Sequence, residues 1–512
     1  MGLPRRFAAA LFVAFLFYAC QTVAMFDESV RYYQQWEAAD TAAFLLGMLF
    51  LAVTAVGLDA LVRRSKSVLL RRLFNHAFLL AVAAGFLAVF VAVADQLTVA
   101  QLLWLAAAGG IGLSLGHPQW KIDLRVAQVC SYLSPVVVVA AVLMASWGTW
   151  GEDAESLPSL EQAAEKAAAR APAANGTPVV FIVFDEWSFP RSTENGQFRS
   201  SLKNLRKLAR QSVMFRETLS AGPGTMQSMP RMIYQNDKTL TVAAGETFLE
   251  DDEGREATQQ LPSLFQLAGD RGYTTYLLGI FHAYRHMLGT QVDYCHVYPC
   301  DGSAGGLWET LYFRLMRNCI YLNDPVSLRF GWGRGAHHML SRQWFAMATA
   351  YRVEMLDILA NGPVNTFAFF HAPWPHGPFV FNSDGSYNGS RWDDDRAAAY
   401  LRQIDYVDVL VGEIVATLRA ARKYDDALLI LTSDHGWRED PEPTFYNLPD
   451  YKQHVPLIIK LPGQQSGYVV DRGISPNQLK PLLEAVFAGE KDPRVLTRLL
   501  GVDGDAKTSP QE

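Results

Sequence analysis

Val179-Val180-Phe181-Ile182-Val183-Phe184-Asp185-Glu186 is the stretch that decides the fold. Its six leading residues are β-branched or aromatic and leave no polar face, so the segment reads as a parallel strand buried on both sides. Four further runs share this texture, at 275–278, 366–370, 427–432 and 455–459. Helical patterns at 200–212, 261–270, 336–359 and 396–421 lie among them. The alternation predicts an α/β sheet covered by helices. In such sheets ligands gather where the strands end.

The strand ends carry the chemistry. Asp185-Glu186 closes the first run, Ser433-Asp434-His435-Gly436 follows the 427–432 run, and His371-Ala372-Pro373-Trp374-Pro375-His376-Gly377-Pro378 continues the 366–370 run. Ahead of a further helix, Gly222-Pro223-Gly224 makes a tight turn into Thr225, and free N–H groups at that start favour an anion. Taken singly, an acid pair after a strand is a helix cap and Asp-His-Gly is a turn. Together they place carboxylates, imidazoles and a hydroxyl at one sheet edge. Carboxylate oxygen mixed with imidazole nitrogen suits Zn²⁺ first and Mn²⁺ next, while an oxygen-rich subset accepts Mg²⁺ or Ca²⁺. A threonine hydroxyl attacks only when a base, a lowered pKa or a metal activates it. No Ser/His/Asp motif is present in the sequence, so a divalent cation is the economical activator, and it would also offset charge on a phosphoryl or sulfuryl oxygen.

These residues resemble the alkaline phosphatase superfamily in its sulfatase-like branch, over roughly 178–463. The blocks that carry the resemblance are Val183-Phe184-Asp185-Glu186, Gly224-Thr225-Met226-Gln227-Ser228-Met229-Pro230 and Leu431-Thr432-Ser433-Asp434-His435-Gly436, with His371 to Pro378 as a fourth. Their order is similar to that of the membrane-bound phosphoethanolamine transferases. The resemblance implies Thr225 as a nucleophile that becomes transiently phosphorylated and also meets the metal. It implies Asp434 and His435 as metal ligands, with Asp185 and Glu186 both qualifying from the first strand. His376 would bind the incoming phosphate group with His371 behind it, and His454 would stand in for a later histidine of the transferases. Two departures matter. Sulfatases keep Cys or Ser at the nucleophile position and an Arg four residues on, where this chain has Thr225 and Met229. The transferases flank the motif with paired cysteines, where this chain has Ala221 and Arg231.

The first 147 residues differ in texture. Five apolar stretches, at 7–25, 41–62, 77–94, 99–115 and 126–147, are each about long enough to cross a hydrocarbon core of roughly 30 Å. Arg5, Arg6 and the basic loop from Arg63 to Arg72 alternate with an acid-rich loop carrying Asp27, Glu28, Glu37 and Asp40. The positive-inside rule then sets the N-terminus in the cytoplasm and everything after the fifth span outside. A cleaved signal peptide is the rival reading of the first span, and aromatic Phe17 and Tyr18 suit it poorly.

The expected organisation is a five-helix transmembrane domain over 1–147, a connector over 148–177, a sulfatase-like α/β domain over 178–500 and a disordered tail over 501–512. A net charge of −6 argues against nucleic acid as a partner. Five cysteines are too few for a disulfide scaffold. Cys295 and Cys300 either pair, in an oxidising compartment, or stay reduced in a tight loop. The expected activity is transfer of a phosphoethanolamine-like group from a membrane lipid to an envelope lipid or glycan, outside the cytoplasmic membrane. The alternatives are a hydrolase of the same fold, phosphodiesterase or sulfatase-like, and a metal-poor envelope pseudoenzyme. His282, Arg285 and His286 follow a strand end and rank as further substrate contacts.

Overall fold

The computed structural model describes residues 3–17, 38–74, 77, 132, 159–169, 176–243, 245–298, 334–389, 395–440, 453–502 and 507–508. The chain divides into two compact units, Met1–Gly151 with Asp301–Met339, and Glu152–Cys300 with Leu340–Glu512.

In the first unit the helices Leu3–Phe17 and Ala38–Arg64 meet through Arg6, whose Nη1 lies 3.1 Å from Asp59 Oδ2. Arg63 holds the same carboxylate at 2.8 Å, so the two basic ends lie together. Among the described residues one helix, Leu45–Arg64, is long and apolar enough to cross a membrane. Within the first expected span, 7–25, the described residues are helical to Phe17, and 18–25 lie outside the described residues. The spans at 77–94, 99–115 and 126–147 lie outside the described residues, apart from Ala77 and Tyr132. The five-helix domain is thus reduced, among the described residues, to one helix of sufficient length and composition.

The second unit is built on a nine-stranded sheet. Its strands in chain order are β1 Val179–Asp185, β2 Val213–Phe215, β3 Thr274–Ile280, β4 Tyr294–Tyr298, β5 Thr366–Pro375, β6 Leu428–Ser433, β7 Leu457–Lys460, β8 Tyr468–Val470 and β9 Lys507–Thr508. They lie in the order β9-β8-β2-β7-β6-β1-β5-β3-β4. Strand β1, buried at all seven positions, sits between β6 and β5 and runs parallel to both. Each of its large apolar side chains contributes about 1.5–3 kcal/mol by leaving water. The sheet is mixed, because β7 runs antiparallel to β6 and to β2.

Helices cover both faces. Val180, Ile182 and Phe184 face a core shared with the helices Lys203–Ala209, Arg334–Asn361 and Arg396–Ala420. On the other face Phe181 packs on Phe369, and Phe265 and Phe487 pack on Phe367, bringing in the helices Leu264–Gly269 and Lys480–Phe487. Within the expected connector, the helix Leu160–Ala168 buries Ala163 against the sheet beside β3. Lys507 and Thr508, inside the tail expected to be disordered, pair with Tyr468 and Val469, because an edge strand offers unpaired backbone groups whatever the side chains.

Strand β4 escapes a sequence reading because it alternates polar residues. Tyr294 and His296 both bond Glu354, at 2.6 and 2.7 Å, and Tyr298 bonds the same carboxylate. Cys295, on the opposite parity, is buried, and Cys300 lies outside the described residues.

Candidate metal and nucleophile site

Strand register assembles the site. Val183 pairs with His371 of β5 and with Thr432 of β6, and in-register residues of parallel strands share a face. Asp185, two residues further along β1, returns to the same face as His371, and Asp434 follows directly after β6. All three are fully buried. Their ligand atoms lie within 4.8 Å of one another, as a group that could hold a metal ion.

Thr225 joins them from the first position of the helix Thr225–Tyr234, N-capped by Gly224. Its Oγ1 donates to Asp434 Oδ2 at 2.5 Å and lies 3.4 Å from His435 Nε2. The preceding turn is tightly held. Ser220 and Ser228 hydroxyls both donate to the Gly222 carbonyl, at 2.6 and 2.9 Å. A Cβ on Gly222 would stand 2.9 Å from Gln227 Cβ, so the turn closes only around glycine. Arg231 Nη1 donates to the Ala221 carbonyl at 2.9 Å. A hydrogen bond therefore ties the two positions where the resembled transferases keep paired cysteines.

The electrostatics separate the two aspartates. Burial raises Asp185 well above the usual carboxylate range, and the charges of Asp434 and Glu186 push the same way. Burial also opposes charge on Asp434, but His435, His371, the Thr225 hydroxyl and the Glu186 N–H together hold it below its ordinary value. Both Asp185 oxygens are buried with no hydrogen-bond partner among the described residues, as is His371 Nε2. Such orphaned groups are rare and costly. A divalent cation would satisfy them together, and the mixed oxygen and nitrogen donors fit Zn²⁺ or Mn²⁺.

His371 is oriented for that task. Its Nδ1 faces the Ile280 carbonyl at 3.2 Å and Tyr284 Oη at 2.9 Å, so the proton on Nδ1 leaves Nε2 with its lone pair toward Asp434 Oδ2, 3.9 Å away. Burial pushes its pKa down to about 3, which keeps the ring neutral. Gly279 makes room for Tyr284, because a Cβ there would lie 2.3 Å from the tyrosine ring. His435 Nε2 lies 3.3 Å from Asp434 Oδ2 and 3.7 Å from Asp185 Oδ1, with Nδ1 bonded to the Gly436 carbonyl at 2.8 Å.

The remaining candidates divide. Glu186 adopts φ 65°, and its Oε1 accepts from Arg438 Nε at 2.8 Å, outside the three-residue ligand group. His376 lies beside Arg438, with 3.4 Å between Nε2 and Nη2, and packs against Phe281 and Trp344 at ring separations of 5.5 and 5.9 Å. His454 is engaged elsewhere: it stacks on Phe189 at 4.7 Å and its Nε2 donates to the Arg216 carbonyl at 2.5 Å. His282 Nε2 meets the Thr225 backbone carbonyl at 3.0 Å, bracing Thr225 from behind. Arg285 donates to the Cys295 carbonyl at 3.1 Å, bracing β4. Arg438 and Tyr284 were not singled out in the sequence. Arg438 could have been found by its position three residues after His435; nothing local marks Tyr284.

A family model described as Sulfatase matches residues 177–483, more than half of the chain. The chain belongs to the sulfatase family. The match takes in the whole of the site, from Asp185 to His435. Arylsulfatase K of Danio rerio is 32% identical over 80 residues, 15% of this chain and 15% of that protein, so the chain matches far less than two thirds of that relative. Among solved structures it is similar to Ps i-CgsB in complex with k-i-k-neocarrahexaose, at 15% identity and a TM-score of 0.45, covering 63% of this chain and 74% of that one. It is also similar to the lipoteichoic acid synthase LtaP from Listeria monocytogenes, at 14% identity and a TM-score of 0.38, covering 62% of this chain and 74% of that one. Sulfatase-like enzymes depend on a metal, and Asp185, His371 and Asp434 form the buried group here that fits one.

Proposed function

We propose that this chain is a membrane-bound, metal-dependent transferase that moves a phospho-substituent, phosphoethanolamine-like, from a lipid donor to an envelope lipid or glycan. The observation that carries the reading is the Thr225 hydroxyl donating to Asp434 Oδ2 beside Asp185 and His371, whose ligand atoms lack hydrogen-bond partners among the described residues. Asp185, His371 and Asp434 would hold the divalent cation, with His435 and Thr225 at their side. When bound, that cation lowers the pKa of an alcohol and offsets charge on phosphoryl oxygens.

The chain's own residues do the rest. Asp434 Oδ2 takes the Thr225 proton as Oγ1 forms its bond to phosphorus, and the bond from phosphorus to the donor's alcohol breaks. The departing alcohol leaves with that proton, passed on by Asp434. The acceptor hydroxyl then attacks the phosphorus of the Thr225 phosphodiester, the bond from phosphorus to Oγ1 breaks, and the acceptor's proton passes by way of Asp434 to Thr225 Oγ1. His282 fixes the Thr225 backbone, and Tyr284 fixes the His371 ring. His376 receives the incoming group at the rim. Threonine cannot yield the formylglycine aldehyde, which disfavours sulfate-ester hydrolysis. Family membership favours a second reading, a hydrolase with water as acceptor through the same Thr225 adduct.

The apolar helix Leu45–Arg64 and the alternation of basic loops support anchoring in the cytoplasmic membrane, in a multi-pass arrangement with the catalytic domain outside. Anchoring keeps site and lipid donor at one surface and raises their effective concentration. Incubation with headgroup-labelled lipid tests both readings. Transfer leaves label on an acceptor, hydrolysis releases a soluble product, and Thr225→Ala stops either.

A further inference from the structure

The residues after the Asp-His-Gly turn do different work. Trp437 is fully buried and stacks on Tyr400 at 4.3 Å and 5°. Asp440 accepts from Arg191 Nε at 2.9 Å in a pair that is itself nearly buried. These two contacts anchor the loop on either side of Arg438. Arg438 is different: its side chain is 51% exposed while that of its partner Glu186 is 7% exposed, so the guanidinium stands between a buried carboxylate and solvent.

Backbone strain points to the same place. Glu186 at φ 65° and Phe281 at φ 64° are left-handed residues other than glycine, one directly after β1 and the other directly after β3. One meets Arg438 and the other packs on His376, the two groups that lie 3.4 Å apart. Two of the five non-glycine residues with positive φ among the described residues thus flank one pair of side chains, and such strained backbone clusters at functional sites.

Charge supplies the reason. Asp185, Asp434 and Glu186 surround the site with carboxylates, and a phosphoryl or sulfuryl group arriving there is itself an anion. The charge of the Arg438 guanidinium interacts with those of Asp185 and Asp434 as well as with Glu186. Its Nε serves Glu186 and its Nη2 faces His376, so of five N–H donors several remain for a tetrahedral oxyanion. We infer that Arg438 is the anion-receiving residue of this site, with Glu186 as a built-in competitor: the substrate's oxyanion displaces the Glu186 carboxylate from the guanidinium beside His376. The displacement itself does not need the Thr225 adduct, although the identity of the natural anion rests on the proposed transfer.

Calorimetric titration of inorganic phosphate into the full-length, Mn²⁺-loaded protein in detergent tests this. Arg438→Gln should weaken phosphate by about tenfold to a hundredfold, the range of one charge-assisted pair, and Arg438→Lys should recover part of the loss. Glu186→Gln should tighten phosphate severalfold, because the competitor is gone, with bound metal and thermal midpoint near wild type. Wild-type affinity in Arg438→Gln would overturn the inference. So would equal weakening in both variants, which marks the pair as a loop brace, or loss of metal in Glu186→Gln, which makes Glu186 a ligand. Thr225→Ala, titrated in parallel, separates this from the proposed reaction. Turnover lost with phosphate affinity kept leaves both standing; turnover kept with the Arg438 effect intact removes only the covalent step.

Discussion

The two ends of strand β6 both bury charged groups, on opposite terms. Beside its start, the ammonium of Lys460 donates to the carbonyls of Tyr424, Asp425 and Ala427 at 2.5, 2.6 and 3.2 Å. Lys423 nearby donates to those of Leu359, Ala360 and Gly362. At the other end Asp434 meets Asp185 and His371, and three oxygen or nitrogen atoms there have no hydrogen-bond partner among the described residues. A buried charge that the protein satisfies by itself is a structural clamp. One that the protein leaves unsatisfied, on a face built to exclude water, is arranged for something that arrives from outside.

The contrast can be broken most forcefully at the catalytic end. Thr225→Ala should cut turnover by about 10³-fold or more, as removal of a nucleophile does, while the urea midpoint stays at the wild-type value. Retained turnover in labelled-lipid assays breaks the assignment of the nucleophile.

Metal comes next in size. Divalent cation at about one hundred times its dissociation constant should stabilise the protein by about 3 kcal/mol, and chelation should reverse this. Asp185→Asn should abolish the metal-dependent rise in thermal midpoint yet leave the metal-free protein at least as stable as wild type, since it removes a buried, unpartnered carboxylate. A metal-free variant that melts well below wild type would show that Asp185 is structural.

Lys460→Met should do the reverse. Three carbonyls lose their donor, at a cost of about 2 kcal/mol, while turnover below the unfolding temperature is unchanged.

The smallest effect is in the pH dependence. Burial pushes Lys460 down to about 8, against 10.5 for the free side chain. Between these values the unfolded chain holds the proton more often than the folded one, so stability from this group rises with pH. The gain is about 1 kcal/mol from pH 8 to pH 9, and denaturant titrations of Lys460→Met should lack it.

How far the sequence reached follows from the same contrast. The β1, β5 and β6 segments were legible because strands buried on both faces permit few polar residues, so Asp185, His371 and Asp434 stand out where the apolar runs end. Thr225 was legible from the Gly222-Pro223-Gly224 turn. The direction of the Glu186 side chain was not, since it depends on a left-handed backbone that no neighbour dictates. The grouping of His371 with the two aspartates, rather than with His376, required the register of β5 against β1. Tyr284 acts across 87 positions of sequence and has no local signature. Strands β2 and β8 have three residues each, too few to show a period, and β4 hides behind the Glu354 cluster.

Anomalous diffraction from crystals grown with Mn²⁺ interrogates the buried strand ends without intermediaries. A peak bounded by the carboxylates of Asp185 and Asp434 and the Nε2 of His371, next to the Thr225 hydroxyl, is the predicted result. Crystals in which those atoms remain bare, or in which the ion sits on other residues, would contradict it.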